Sequence, residues 1–138
     1  MKKSSAGRFI PVVLFLLLIL ARCSNDKPGI QDVSPVDAAK LIQSNGNNPG
    51  FMILDVRTAE EYASGHLAGA KNIDYQSDDF DTKISQLDKN RNYLVYCRSG
   101  HRSSGAVKLM KDKGFTSLSN LKGGLNAWME ANQNVVTN

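Results

Sequence analysis

The 138 residues include only two cysteines, two histidines and one tryptophan, and no acidic residue precedes position 23. Cys23 and Cys97 lie far apart, as do His66 and His101. No zinc-type spacing exists, and neither a metal nor any other cofactor is expected. Long apolar runs are also missing. The longest, Phe9 to Ala21, is 13 residues; as a helix it would rise about 20 Å against a bilayer core of about 30 Å. There is no internal repeat, no low-complexity tract and no sustained heptad, which excludes collagen-like, disordered and coiled-coil classes. Surplus charge is absent from most of the chain. Four of the 17 basic residues, Lys2, Lys3, Arg8 and Arg22, precede Cys23, and the 13 beyond are matched by 13 acids. The formal net charge of +4 therefore belongs to a leader. A body with no excess of Lys and Arg gives no reason to expect nucleic acid as a partner.

What is present divides the chain into four parts. Residues 1–22 read as a signal peptide, with a basic start and an apolar stretch interrupted only by Pro11. The tetrapeptide Leu20-Ala21-Arg22-Cys23 resembles the lipobox of bacterial lipoproteins, with Arg22 standing where that pattern has a small residue. The resemblance implies cleavage before Cys23, lipidation of its sulfur, export to the periplasm or another extracytoplasmic space, and membrane attachment through the N-terminus. Ordinary cleavage nearby and an uncleaved anchor are the alternatives. Residues 23–33 are polar and read as a tether. Residues 34–132 read as one domain, long enough to bury a core without disulfide staples, and 133–138 as a tail. The expected state is a monomer.

Within the domain, strand and helix signals alternate. Ser34, Pro35 and Asp37 open a helix that Gly46 closes. Phe51 to Leu54 is a continuous apolar run, as in a strand covered on both faces. Thr58 with Glu61 three residues on forms a capping-box pattern, and Gly65 ends that helix. Asn72 to Tyr75 reads as a short strand and Asp78 to Leu87 as a poorly ordered helix. Asn92 to Tyr96 is the clearest strand; Ala106, Val107, Leu109 and Met110 then recur at helical spacing up to Gly114. A strand around Phe115 to Leu118 and a helix containing Trp128 complete the pattern. The fold class is therefore α/β, with a mostly parallel sheet covered on both faces and ligands bound beyond the carboxyl ends of its strands.

Cys97 lies at such an end, just before a helix, followed by Arg98, Ser99, Gly100, His101 and Arg102. Gly100 permits unusual backbone angles, successive N–H groups can turn inward, and the helix adds the positive end of its dipole. All favour thiolate over thiol, and the thiolate is the nucleophile. Two plainer readings are an inert buried cysteine and a disulfide with Cys23, which would have to draw the tether across the domain.

Three stretches together resemble a single-domain rhodanese over residues 31–131. They are Ile53 to Arg57 with Glu60-Glu61-Tyr62 and Gly65 to Ile73; Tyr96 to Ser103; and Leu121 to Gly124 with Ala127-Trp128. The resemblance implies a three-layer α/β/α rhodanese-like fold and a sulfurtransferase whose catalytic Cys97 alternates between thiolate and persulfide. Thiosulfate or a similar small anionic donor supplies the sulfur, and a thiol or cyanide accepts it. The loop residues Arg98, Ser99, Gly100, His101 and Arg102 would bind the substrate, Arg102 foremost. The alternative is a persulfide carrier or protein-binding module without turnover. The spacing from Cys97 to Arg102 is C-x4-R, whereas phosphatases that share the fold use C-x5-R, a position held here by Ser103. The shorter ring should close on a single sulfur and exclude a tetrahedral phosphate. Asp55 and Arg57 are read as loop ties, with Arg57 in reach of Glu61; His66 as a hydrogen-bonded turn residue; Trp128 as core; and Gly123-Gly124 as a turn near the Cys97 loop.

Overall fold

The computed structural model describes residues 29–137. The leader, Arg22 and Cys23 lie outside that range, and with them the expected signal peptide, lipidation site and any bond between Cys23 and Cys97. Strands β1 (Gly29–Val33), β2 (Phe51–Asp55), β3 (Lys71–Asn72), β4 (Asn92–Tyr96) and β5 (Ser117–Leu121) alternate with helices α1 (Pro35–Asn45), α2 (Ala59–Ser64), α3 (Phe80–Ser85), α4 (His101–Asp112) and α5 (Gly124–Glu130). The five strands form one sheet in the order β1-β5-β4-β2-β3, with every pairing parallel. Parallel neighbours require crossovers, and helices supply them.

Period-two alternation along the strands sorts the core into two layers. Leu54, Tyr93, Val95, Cys97 and Leu118 pack with Phe80 and Ile84 of α3 and Ala106, Val107 and Met110 of α4. Ile53, Leu94, Tyr96 and Leu121 pack on the other face with Ala38 of α1 and with Leu125 and Trp128 of α5. This is the expected three-layer α/β/α arrangement. Trp128 is core, and its indole N–H donates to the Asn134 carbonyl at 2.9 Å.

Both helix starts read from the sequence are present. The Ser34 hydroxyl accepts from Asp37 N, and Thr58 and Glu61 form the reciprocal capping box. Several boundaries differ. The segment read as a tether through Val33 contributes β1, in register with β5 from Gly29 opposite Ser117 to Val33 opposite Leu121. Residues 29–33 are thus part of the sheet. Their polarity misleads because β1 is an edge strand: Gln31 and Asp32 are exposed and the ladder is held by main-chain bonds. The last strand starts at Ser117, since Phe115 turns into the core and meets the Tyr93 ring edge-on at 5.4 Å. Only Lys71 and Asn72 form β3, although Ile73 N and Tyr75 N still donate to Asp55 O and Val56 O. Between Asp78 and Leu87 stands α3, anchored by buried Phe80 and Ile84. The tail is docked, because His66 and Val136 exchange two main-chain hydrogen bonds at 2.9 Å. Among the described residues no helix is long and apolar enough to cross a membrane.

Candidate functional site

The β4 chain leaves the sheet at Tyr96, and the next residue is Cys97, 1% exposed with a free thiol. Gly100 follows in the left-handed region, φ 102°, as the N-cap of α4. A residue with a Cβ rarely adopts that angle, so glycine lets the chain double back over the sulfur. Gly100 N donates to Cys97 Sγ at 3.1 Å, and the Ser103 hydroxyl lies 3.4 Å from it. The N–H groups of Ser99 and Ser103 also stabilise the thiolate. First-turn N–H groups of a helix have no partner within the helix, and here those of Gly100 and Ser103 turn to the sulfur. Burial pushes the thiol pKa up, but the Ser103 hydroxyl and the three N–H groups outweigh it, and the thiol lies below its ordinary range.

A second layer fixes the loop from behind. Leu125 N and Asn126 N, at the start of α5, donate to the carbonyls of Cys97 and Arg98 at 2.8 and 3.0 Å. Gly124 permits this approach: a Cβ there would stand 2.4 Å from Cys97 O and 2.6 Å from Arg98 O. Gly123-Gly124 is thus the expected turn beside the loop, with a defined purpose.

The loop side chains separate into two groups. Arg98, Ser99 and His101 are exposed at the rim. Arg102 is turned to Glu61, with Nη1 on Oε2 and Nη2 on Oε1, each at 2.8 Å. Sequence reasoning gave Glu61 to Arg57, and the structure corrects this. Arg57 spans only two residues to Asp55, donating Nε and Nη2 to the carboxylate and Nη2 also to Gly65 O. Glu61, freed by that arrangement, serves both the helix cap and Arg102. The Arg102 guanidinium, over burial, holds the Glu61 carboxyl down at about 2, with Thr58 assisting. In turn Glu61, and more weakly the Cys97 thiolate, keeps Arg102 charged. His66 is the turn residue expected, its Nδ1 at 2.9 Å from Tyr62 O and its ring stacked on Tyr62 at 3.8 Å.

Two participants escaped the sequence reading. In the sequence Ser103 ends the loop stretch and marks its length with no role at the sulfur, though one helical turn past Gly100 is where a first-turn hydroxyl returns to the loop. The Glu61–Arg102 contact bridges 41 residues, and no local pattern announces it. Among the described residues no group of three or more His, Cys, Asp or Glu side chains is placed to hold a metal. A cavity of about 370 Å³ opens at the amino-terminal ends of the strands, lined by Gly29, Phe51, Asn92 and Ser117. It lies opposite the Cys97 end and carries no charged side chain.

Residues 34–131 match the family model of the rhodanese-like domain. The chain belongs to that family. Among its relatives are a sulfurtransferase of Allochromatium vinosum, 30% identical over 96 residues that cover 70% of this chain and 88% of that protein. The thiosulfate sulfurtransferase GlpE of Stutzerimonas stutzeri is 33% identical over 82 residues, covering 59% of this chain and 72% of the relative. The crystal structure of a rhodanese-related protein from Thermoplasma volcanium superposes with a TM-score of 0.65 at 26% identity, over 78% of this chain and 99% of that one. The rhodanese-like fold and kinship with sulfurtransferases are therefore established.

Proposed function

We propose that this rhodanese-like domain is a sulfurtransferase that moves sulfane sulfur from thiosulfate, or a similar small anionic donor, to a thiol or cyanide through a persulfide on Cys97. The observation that carries the reading is the convergence of main-chain N–H groups and the Ser103 hydroxyl on one sulfur, which favours the thiolate of Cys97 over the thiol. The thiolate attacks the outer sulfur of thiosulfate. A new S–S bond forms at Cys97, the donor's own S–S bond breaks, and sulfite leaves with its electron pair. Cyanide or a thiolate then attacks the outer sulfur of the persulfide, and Cys97 is released as thiolate. The loop N–H groups stabilise anionic sulfur at the start and end of each half-reaction, as an oxyanion hole does for oxygen. Arg98 and His101, at the rim, meet the sulfonate end of the donor, while Arg102 is held beside the loop by the Glu61 pair. The C-x4-R loop supports sulfur over phosphate as the bound group.

The test is thiocyanate formation from thiosulfate and cyanide, which Cys97→Ala abolishes; a fully active variant would remove the mechanism. Thiosulfate treatment alone should add the mass of one sulfur atom to the Cys97 peptide. A domain that gains this sulfur without forming thiocyanate is a carrier. We also propose, from the leader alone, that the chain is exported and held to the membrane as a monomer by a lipidated Cys23. A mature N-terminus downstream of Cys23, seen by mass spectrometry, would overturn that assignment.

A further inference from the structure

Behind the Cys97 loop runs a chain of polar side chains that the sulfur-transfer scheme does not use. Asn120, on β5, is 5% exposed. Its Nδ2 donates to Asp32 Oδ1 of β1 at 2.8 Å and to Ser104 Oγ of α4 at 3.4 Å, while its Oδ1 has no partner. A buried amide that leaves its acceptor unmet gives up free energy, so the two bonds its donors make must offset that cost. Asp32 fixes which way it points, since a carboxylate only accepts.

The Ser104 hydroxyl receives Nδ2–H and passes its own proton to Gly100 O at 2.7 Å. That carbonyl also takes Ser104 N–H at 3.1 Å. A carbonyl oxygen has two lone pairs, and Ser104 fills both. Ser103 Oγ nonetheless lies 3.2 Å from the same oxygen and 3.4 Å from Cys97 Sγ, with one proton to give. Which acceptor receives it depends on whether Gly100 O is already satisfied.

We propose that Asn120 is a positioning residue for the reactive sulfur: by holding Ser104 as donor to Gly100 O, it turns the Ser103 hydroxyl proton onto Cys97 Sγ. The inference rests on Cys97 reacting as a thiolate, and it names the group that keeps the thiolate's side-chain donor aimed. The relay begins at Asp32, on the exposed edge strand.

The test follows alkylation of the Cys97 peptide by iodoacetamide against pH, by mass spectrometry on the full chain. Asn120→Asp reverses the relay, because a carboxylate at 120 takes the Ser104 proton and leaves Gly100 O to Ser103. Ser104→Ala removes the relay without adding charge. Each should move the alkylation profile to higher pH and slow alkylation on its acid limb roughly three- to tenfold, the size of one ordinary lost hydrogen bond. Neither should slow it further in a Ser103→Ala background, where the proton being directed is absent. Equal slowing in both backgrounds would reveal a charge or packing effect and overturn the proposal, as would no slowing. Should Asn120→Asp fail to fold beside Asp32, Ser104→Ala carries the same test. Because the profile reads the thiol itself, a protein that shows this pattern but forms no thiocyanate upholds the relay and overturns the turnover reading.

Discussion

Arg57 meets Asp55 with side chains 4% and 0% exposed, Nη2 lying 2.6 Å from Oδ2. Arg102 meets Glu61 with side chains 18% and 29% exposed, at 2.8 Å. Both pairs are forked, both lie at or just past the carboxyl ends of central strands, and both belong to stretches that carry the family resemblance. Their surroundings differ. The first is sealed under the Tyr96 ring, 5.7 Å from the guanidinium, and ties the strand end to Gly65. The second stays partly in water, joins α2 to the loop, and sits close enough for the Cys97 charge to act weakly on Arg102. A sealed pair stakes stability on its geometry, because either partner alone is an uncompensated buried charge. A half-open pair contributes little stability and is free to tune a neighbouring group.

The sharpest way to break this contrast is Arg57→Leu. It leaves the Asp55 carboxylate buried beside Tyr96 with the guanidinium gone, and unfolding in urea should show a loss of about 3–5 kcal/mol. The alkylation profile of Cys97 in the folded fraction should not move. A loss below about 1 kcal/mol would mean that the corner admits water and the pair is not sealed.

The same contrast explains what could be read in advance. Helix starts at Ser34 and Thr58 are legible because each is decided by residues three apart, and the strand at Asn92 because its apolar residues are contiguous. Cys97 was legible because its environment is built from the six residues that follow. The edge strand β1 was not, since Gln31 and Asp32 look like linker and only pairing with Ser119 and Asn120 makes them strand. Arg57 was assigned to Glu61 by helical spacing, yet a partner two residues away and a competitor 41 residues away decide the matter. Burial selects between such partners, and burial is a property of the assembled sheet.

A smaller effect tests the half-open pair. Glu61→Gln keeps a capping group at the third helical position and removes one charge. Arg102 is then an uncompensated cation beside the sulfur. The KM for thiosulfate should fall about two- to fivefold at low salt, the scale of one charge interacting near a wetted surface, and the gain should fade as salt is added. An unchanged KM would show that the Arg102 charge does not reach the donor. Acid supplies the converse measurement. Arg102 holds Glu61 down at about 2 against an ordinary 4.5, so the pair's stability is complete above 4.5 and drains away as pH falls toward 2. Discounted for exposure, that limb should amount to about 1 kcal/mol, and it should be missing in Glu61→Gln.

The smallest change separates the two duties of Glu61. Thr58→Ala removes the side-chain cap, whose hydroxyl accepts Glu61 N at 3.3 Å, but leaves both Arg102 bonds possible. Loss of such a cap costs about 1 kcal/mol, seen as a modest fall in melting temperature. If the pair acts on sulfur through charge, Thr58→Ala leaves the Cys97 alkylation profile in place while Glu61→Gln shifts it to lower pH. If Thr58→Ala moves the profile as far as Glu61→Gln does, the start of α2 is what positions Arg102, and the half-open pair is a structural tie like the sealed one.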